Sequence, residues 1–366
     1  MVMHTVYSAA MRAGGGPLVG ALGSRWHGWL DRHYLPQALH LVPAILSTLP
    51  ARPETPPPTS WTVQRAMLTT TKVAVITVGP VGGDPLAMVK LPCTARAAAN
   101  LDRQRAVLAA LHADERLGEW RAVAPMLLAS GEIAGRMYVV EQALRGCDLL
   151  SLRADPLAYT RACRVAAATI AQLHRRTYST IVADTGIVER WVDQPLVLVR
   201  EAVALLPRAR HYQAAIERLA MELHAMVAGR MVTVSWIHGD FWPSNLLFSQ
   251  DGVTLRGIVD WDHAAAAELP MHDLLHLAMH THAHVARQPV PPMVVKSLLT
   301  KASWTEDQLA LFEAAESPLP ADAARVRTML LLYWLRNVAL YLAGHPEATR
   351  PLPWTIENLE SVLRCL

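Results

Sequence analysis

The segment from Ser235 to Asp262 constrains the fold of this chain more than any other. The short apolar runs Ser235-Trp-Ile and Leu246-Leu-Phe flank His238-Gly239-Asp240, and Asp251-Gly252 between Phe248 and Leu255 is a hairpin signal joining two strands. The second strand of that hairpin ends in Gly257-Ile-Val-Asp260-Trp-Asp262. This spacing predicts Asn245 and Asp260 at the ends of adjacent strands, close in space although distant in sequence. It also places His238-Gly239-Asp240 in a tight loop, where Gly239 permits a backbone conformation closed to other residues.

The residue types in that frame suit phosphoryl transfer. Transfer from a nucleotide needs a group to accept or orient the acceptor hydroxyl, and hard oxygen ligands for the magnesium ions that neutralise the polyphosphate. Asp240 fits the first role; Asn245 and Asp260 fit the second. Any one of them alone reads equally well as a turn residue beside a buried strand. Their joint occurrence makes several independent demands on residue type and spacing, and those demands favour the chemical reading.

His238-Gly239-Asp240 through Asn245, followed by Val259-Asp260-Trp261-Asp262, resembles the aminoglycoside phosphotransferase and choline kinase group. That resemblance implies an α+β, bilobal, protein-kinase-like fold, with a small antiparallel-sheet lobe and a mainly helical large lobe. It implies Asp240 as catalytic base, Asn245 and Asp260 as magnesium ligands, and ATP as donor, with GTP left open. Upstream, Pro85-Leu-Ala-Met-Val-Lys90-Leu offers an apolar strand with one cation to meet the phosphates. The segments before it, Trp61 to Thr70 and Val73 to Val78, complete an expected three-strand sheet. Gly82-Gly83 reads as a hairpin turn rather than a phosphate cradle.

The helical stretch Thr94 to His112 departs from the pattern. The resemblance implies a glutamate there that holds the lysine, but the register aligning Leu108 and Leu111 puts Gln104 at that position. A glutamine can hydrogen-bond the ammonium without supplying charge. Asp102 would substitute only with a slipped register. Farther on, the run from Gly135 to Gly146 resembles a hinge whose backbone near Glu141 and Ala143 would meet the adenine edge. By the same resemblance His174, in Leu173-His174, and Asp273, in Pro270-Met-His-Asp273-Leu, are structural.

Composition fits a globular chain with ample core: 366 residues, 52% apolar and 18% charged. A net charge of +3, without a basic block or interleaved aromatics, argues against nucleic acid as a partner. The four scattered cysteines lack metal-site spacing and suggest a reduced, cytoplasmic protein. No apolar run reaches the roughly 18 residues of a membrane span, and the start does not read as a signal peptide. His272, His276 and His280 recur every four residues and could share a helix face, so a metal site there is an alternative to a structural cluster.

These readings divide the chain into an N-terminal extension with a Pro-rich linker over 1–59, a small lobe over 60–142, and a helical lobe over 143–366 that holds the catalytic loop and acceptor site. The extension either packs on the small lobe or docks a partner. Two helices are expected between Arg200 and Arg230, and one long helix from Arg325 to Leu342. Neither segment concentrates the carboxylates that a polycationic acceptor would require. The expected acceptor is therefore a small-molecule hydroxyl on a sugar, an amino alcohol or an antibiotic-like metabolite. Two rivals are a catalytically weak homologue serving as a nucleotide-binding or scaffold protein, suggested by Gln104, and a kinase of protein side chains. No activation segment separates Asp260 from Pro270, which disfavours the second.

Overall fold

The computed structural model describes residues 34–49, 61–206, 209–287, 290, 294–295, 304–344 and 353–366. The first sheet is built from β1 (Thr62–Leu68), β2 (Val73–Gly79), β3 (Ala87–Pro92), β4 (Leu127–Ile133) and β5 (Arg136–Gln142), antiparallel in the order β1-β2-β3-β5-β4. The expected three strands are thus the first three of five.

Alternation along these strands decides what each face does. Ala87, Val89 and Leu91 of β3 and Tyr138 and Val140 of β5 turn to one side and form a core with Ala38, Val42 and Ile45. Those last three belong to α1, a helix over residues 34–46. This part of the extension therefore packs on the sheet, as the packing alternative expected. Arg136 lies over the Tyr34 ring at 5.0 Å, and the Tyr34 hydroxyl donates to the Pro92 carbonyl. The remainder of the 1–59 extension, including Trp26, Trp29 and the Pro-rich linker, lies outside the described residues. Lys90 and Glu141, with the opposite parity, are left for the other face.

Helix α2 (Ala95–Ala113) is capped by Thr94, whose side chain accepts from the Ala97 N–H. It buries Leu101, Gln104, Leu108 and Leu111 on one stripe, which fixes the expected register. Asp102 is exposed and paired with Arg105, so no slipped register brings it inward.

The helical body contains α3 (Pro156–Thr177), α4 (Gln194–Ala204), α5 (Ala209–Val227), α6 (Met271–Ala286), α7 (Glu306–Ala314), α8 (Ala323–Ala343) and α9 (Pro353–Leu363). Two small three-stranded sheets are set into it. In one, β9 (Leu246–Phe248) lies between β10 (Leu255–Ile258) and β6 (Cys147–Asp148); in the other, β8 (Met231–Ile237) lies between β7 (Ser179–Val182) and β11 (Ala265–Glu268). The β9–β10 hairpin is the one signalled by Asp251-Gly252. All four cysteines are free. No helix among the described residues is long and apolar enough to cross a membrane.

Candidate active site

β8 ends at Ile237 and delivers the chain into a loop that is built around one carboxylate. Asp273, in the first turn of α6, is fully buried and accepts from the His238 and Gly239 backbone N–H groups, each at 2.8 Å. His174 Nε2 stands 3.0 Å from its Oδ2. Burial acts to raise the Asp273 pKa, but the His174 hydrogen bond and the neighbouring imidazoles and amides outweigh it and hold the carboxyl below its ordinary value. The structural roles expected for His174 and Asp273 are thus given geometry.

Gly239 has φ of +80°, and a Cβ there would stand 2.1 Å from the His263 carbonyl oxygen and 2.6 Å from Arg336 Nη2. The loop closes only with glycine at this point. Arg336, from α8, donates to the Gly239 carbonyl at 2.9 Å and to the His263 carbonyl at 3.1 Å. One guanidinium therefore ties the loop before β9 to the loop after β10. Sequence reasoning placed Arg336 in the acceptor region and missed this clamp, because its partners lie 97 and 73 residues away.

Asp240 leaves the loop with 35% of its side chain exposed, so one edge of the carboxylate remains open to an incoming molecule. Asn245 Nδ2 donates to the Asp240 carbonyl at 3.0 Å and to its Oδ2 at 3.1 Å. That leaves Asn245 Oδ1 as the oxygen available to a cation. The Asn245 carbonyl accepts from the Val259 N–H at 2.9 Å, joining the start of β9 to the end of β10 as the hairpin spacing required. Asp260 follows at once, with φ of +64°. Its carboxylate engages no hydrogen-bond donor among the described residues. Trp261 is wholly buried, donates from its indole N–H to the Ile258 carbonyl at 2.7 Å, and meets Trp120 edge to face.

Charge links this loop to the first sheet. Burial tends to lower the Lys90 pKa, but Glu141, then Asp260 and Asp262, outweigh it and hold the ammonium above its ordinary value. Burial first, and then the negative charges of Asp260 and Asp240, push the Asp262 carboxyl up to about 6, against His263 and Lys90. Asp240 is held below the usual carboxylate range: burial opposes this, and the His276 hydrogen bond with the neighbouring imidazoles His276, His263 and His238 overcomes it. Asp260 and Asp262 thus act on Lys90, and Asp260, Asp240 and Lys90 act on Asp262, which links β3 to the segment after the hairpin.

Three expected nucleotide-site residues behave differently from their sequence reading. Glu141 enters through its side chain rather than its backbone: its Oε2 lies 2.8 Å from Lys90 Nζ, with side-chain exposures of 3% and 9%. Gln104 Nε2 donates to Glu141 Oε1 at 2.8 Å and so supports the carboxylate instead of the ammonium. The charge absent from α2 is supplied from β5. Ala143 N–H, expected to face the adenine edge, donates to the Leu86 carbonyl at 3.0 Å, so that donor is already used within the small sheet.

Residues 78–312 match the model of the phosphotransferase enzyme family. The chain belongs to that family. By that membership it is a phosphotransferase. No curated protein matches it. Among solved structures it is similar to a point mutant of an aminoglycoside 2'-phosphotransferase-IIIa in complex with GDP, at TM-score 0.54 and 17% identity over 89% of this chain and 96% of that one. It is also similar to a protein from Ralstonia eutropha JMP134 with a provisional aminoglycoside phosphotransferase assignment, at TM-score 0.53 and 14% identity over 90% and 95% of the two chains. At such identities these likenesses speak for the fold: a kinase-like α+β architecture with an antiparallel sheet followed by a helical body.

The donor set also fits magnesium. Asn245 Oδ1 and the Asp260 carboxylate are hard oxygen donors, and the negative charge that raises the Asp262 pKa is the kind a divalent cation offsets. Among the described residues no group of three or more His, Cys, Asp or Glu could hold a metal ion alone. This removes the metal reading of His272, His276 and His280.

Proposed function

We propose that the protein transfers the γ-phosphoryl group of ATP to a hydroxyl of a neutral or mildly polar small molecule, such as a sugar, an amino alcohol or an antibiotic-like metabolite. The observation that carries this reading is the Asp240 carboxylate, held by Asn245 and His276 and partly exposed, together with a buried Lys90 whose ammonium is favoured by Glu141, Asp260 and Asp262. In this reading Lys90 meets the phosphates and Glu141 with Gln104 keeps its ammonium in place. Asp240 receives the acceptor hydroxyl and orients it in line with the phosphorus. Asn245 and Asp260 would hold magnesium, which when bound neutralises the polyphosphate. Fixed charges and dipoles supply most of the acceleration, since this transfer asks little covalent chemistry of the protein.

The surface beside Asp240 favours an uncharged acceptor. The His276 and His280 rings lie tilted to each other with centroids 4.3 Å apart, and Trp242 lies 5.7 Å from His280 and stacks on His284 at 6.3 Å. Burial, then repulsion from His276 and His284, holds His280 well below its ordinary pKa and therefore neutral. Aromatic faces with neutral polar edges suit a sugar-like ring better than a polycation, which would demand carboxylates.

The test is a product screen of purified protein with Mg-ATP against sugars, amino alcohols, macrolides and aminoglycosides, read by a mass gain of one phosphoryl group. A phosphorylated neutral hydroxyl compound supports the proposal. Magnesium-dependent ATP binding with no product across the panel would favour the nucleotide-binding homologue instead.

A further inference from the structure

The Asp240 carboxylate has a partner on α6 that the family pattern did not call for. His276 Nε2 lies 3.2 Å from Asp240 Oδ1, and His276 Nδ1 lies 3.1 Å from the Tyr333 hydroxyl of α8. His276 and Tyr333 are 8% and 2% exposed. The two rings meet edge to face at 5.9 Å, so neither has room to turn away.

The direction of each bond follows from the chemistry of the groups. Burial, then the Asp240 charge, pushes the Tyr333 phenol pKa far up, so the hydroxyl keeps its proton. A carboxylate can only accept. A neutral imidazole between them presents Nε2–H to Asp240 and its Nδ1 lone pair to the Tyr333 O–H, whereas an imidazolium would donate from both nitrogens. The tautomer is thereby fixed by the bond at the opposite nitrogen. With Asn245 Nδ2 on Oδ2, the carboxylate is gripped by donors from two separate elements, which fixes its plane while its exposed edge faces the acceptor.

We propose that His276 and Tyr333 are positioning residues for Asp240: Tyr333 O–H sets the Nε2–H tautomer of His276, and that N–H sets the orientation of the carboxylate toward the acceptor hydroxyl. This rests on the reading of Asp240 as the group that receives that hydroxyl. His276→Gln keeps an N–H donor near the Nε2 position, whereas His276→Leu fills the space without one.

Two readouts on the full chain test it. In protein labelled with 15N-histidine, long-range imidazole spectra are expected to show His276 as the Nε2–H tautomer. Tyr333→Phe should move its Nδ1 resonance, and Asp240→Asn its Nε2 resonance. For the acceptor found in the product screen, His276→Leu should lower kcat by about 10²-fold, the scale of a misplaced reacting group, with the KM for ATP little changed, and His276→Gln should recover most of the loss. An Nδ1–H tautomer, or His276 resonances indifferent to both substitutions, overturns the proposal whether or not an acceptor is in hand. Equal kcat in His276→Leu and wild type overturns it as well. Full turnover in Asp240→Ala would instead strike the reading beneath it, so the two failures are distinguishable. Thermal melting of each variant identifies any that simply fails to fold.

Discussion

Lys90 Nζ lies 2.8 Å from Glu141 Oε2, a contact between neighbouring strands of one sheet rather than between a strand and a helix. The pair is almost dry, and Gln104 reaches the other carboxylate oxygen from α2. A buried ammonium that loses its partner carries an uncompensated charge, which typically costs about 3–5 kcal/mol. Glu141→Gln should therefore lower stability and weaken Mg-ATP binding. Adding Gln104→Glu returns a carboxylate to the same cluster from the opposite side, and the double variant should recover a large part of both losses. Calorimetric titration of the two single variants and the double variant checks this, with an expected coupling of at least about 1 kcal/mol. Additive effects would mean that the two positions do not share the lysine.

Gly239 is the point where three elements meet, and its φ of +80° is compounded by a carbonyl where a side chain would begin. Gly239→Ala should destabilise the protein by about 1–3 kcal/mol from backbone strain, with the clash adding to that. Urea unfolding measures it. Because Arg336 and Asp273 both bind this loop, the variant should also lose turnover at temperatures where it remains folded. A stability within error of wild type would contradict the described closure of the loop.

Four buried histidines make stability depend on pH. His238, His272, His280 and His284 all have pKa values held below the ordinary value, with burial the largest cause in each; His284 falls to about 4 and His272 to about 3. The unfolded chain takes up these protons below about pH 6.5, while the native state refuses them until lower pH. Stability is therefore full above about pH 6.5 and falls as the pH drops toward the native values, by up to about 1.4 kcal/mol per pH unit for each histidine. Asp262, raised to about 6, and Glu268, raised by burial, work in the opposite direction as the pH falls toward the unfolded carboxylate values, two groups against four. Asp273 and Asp240, held low, keep their contribution until the pH falls below the ordinary carboxylate range, and then add to the loss. Denaturant midpoints at pH 7.5, 6 and 5 should decline steadily. A flat profile over that range would contradict the buried, neutral state of these rings.

How far the sequence was legible depended on the reach of the signal. The span from His238 to Asp262 was readable because its loop, hairpin and strands are local, and Asn245 and Asp260 are joined across one hairpin. Lys90 was readable as the sole cation in an apolar strand. Glu141 was misplaced because its side-chain direction depends on the pairing of β5 with β3, where Met88 faces Glu141 and Lys90 faces Val139. Strict alternation from Tyr138 and Val140, on the core side, would have turned Glu141 toward the lysine. Strand β4 escaped notice because its residues are half-exposed or exposed and include a glycine and a glutamate. Arg336 and Tyr333 sit on a helix that reads only as amphipathic; their approach to Gly239 and His276 is decided by how α8 packs on α6 and the loops, which no local pattern encodes.

The most direct test of the whole account is turnover and nucleotide binding in Asp240→Ala, measured side by side with the wild-type protein on the phosphorylated acceptor. Loss of a positioned base should reduce kcat by about 10²-fold to 10⁴-fold, while the affinity for Mg-ATP, held by Lys90, Asn245 and Asp260, stays close to wild type. Turnover equal to wild type in a folded Asp240→Ala protein would contradict the account.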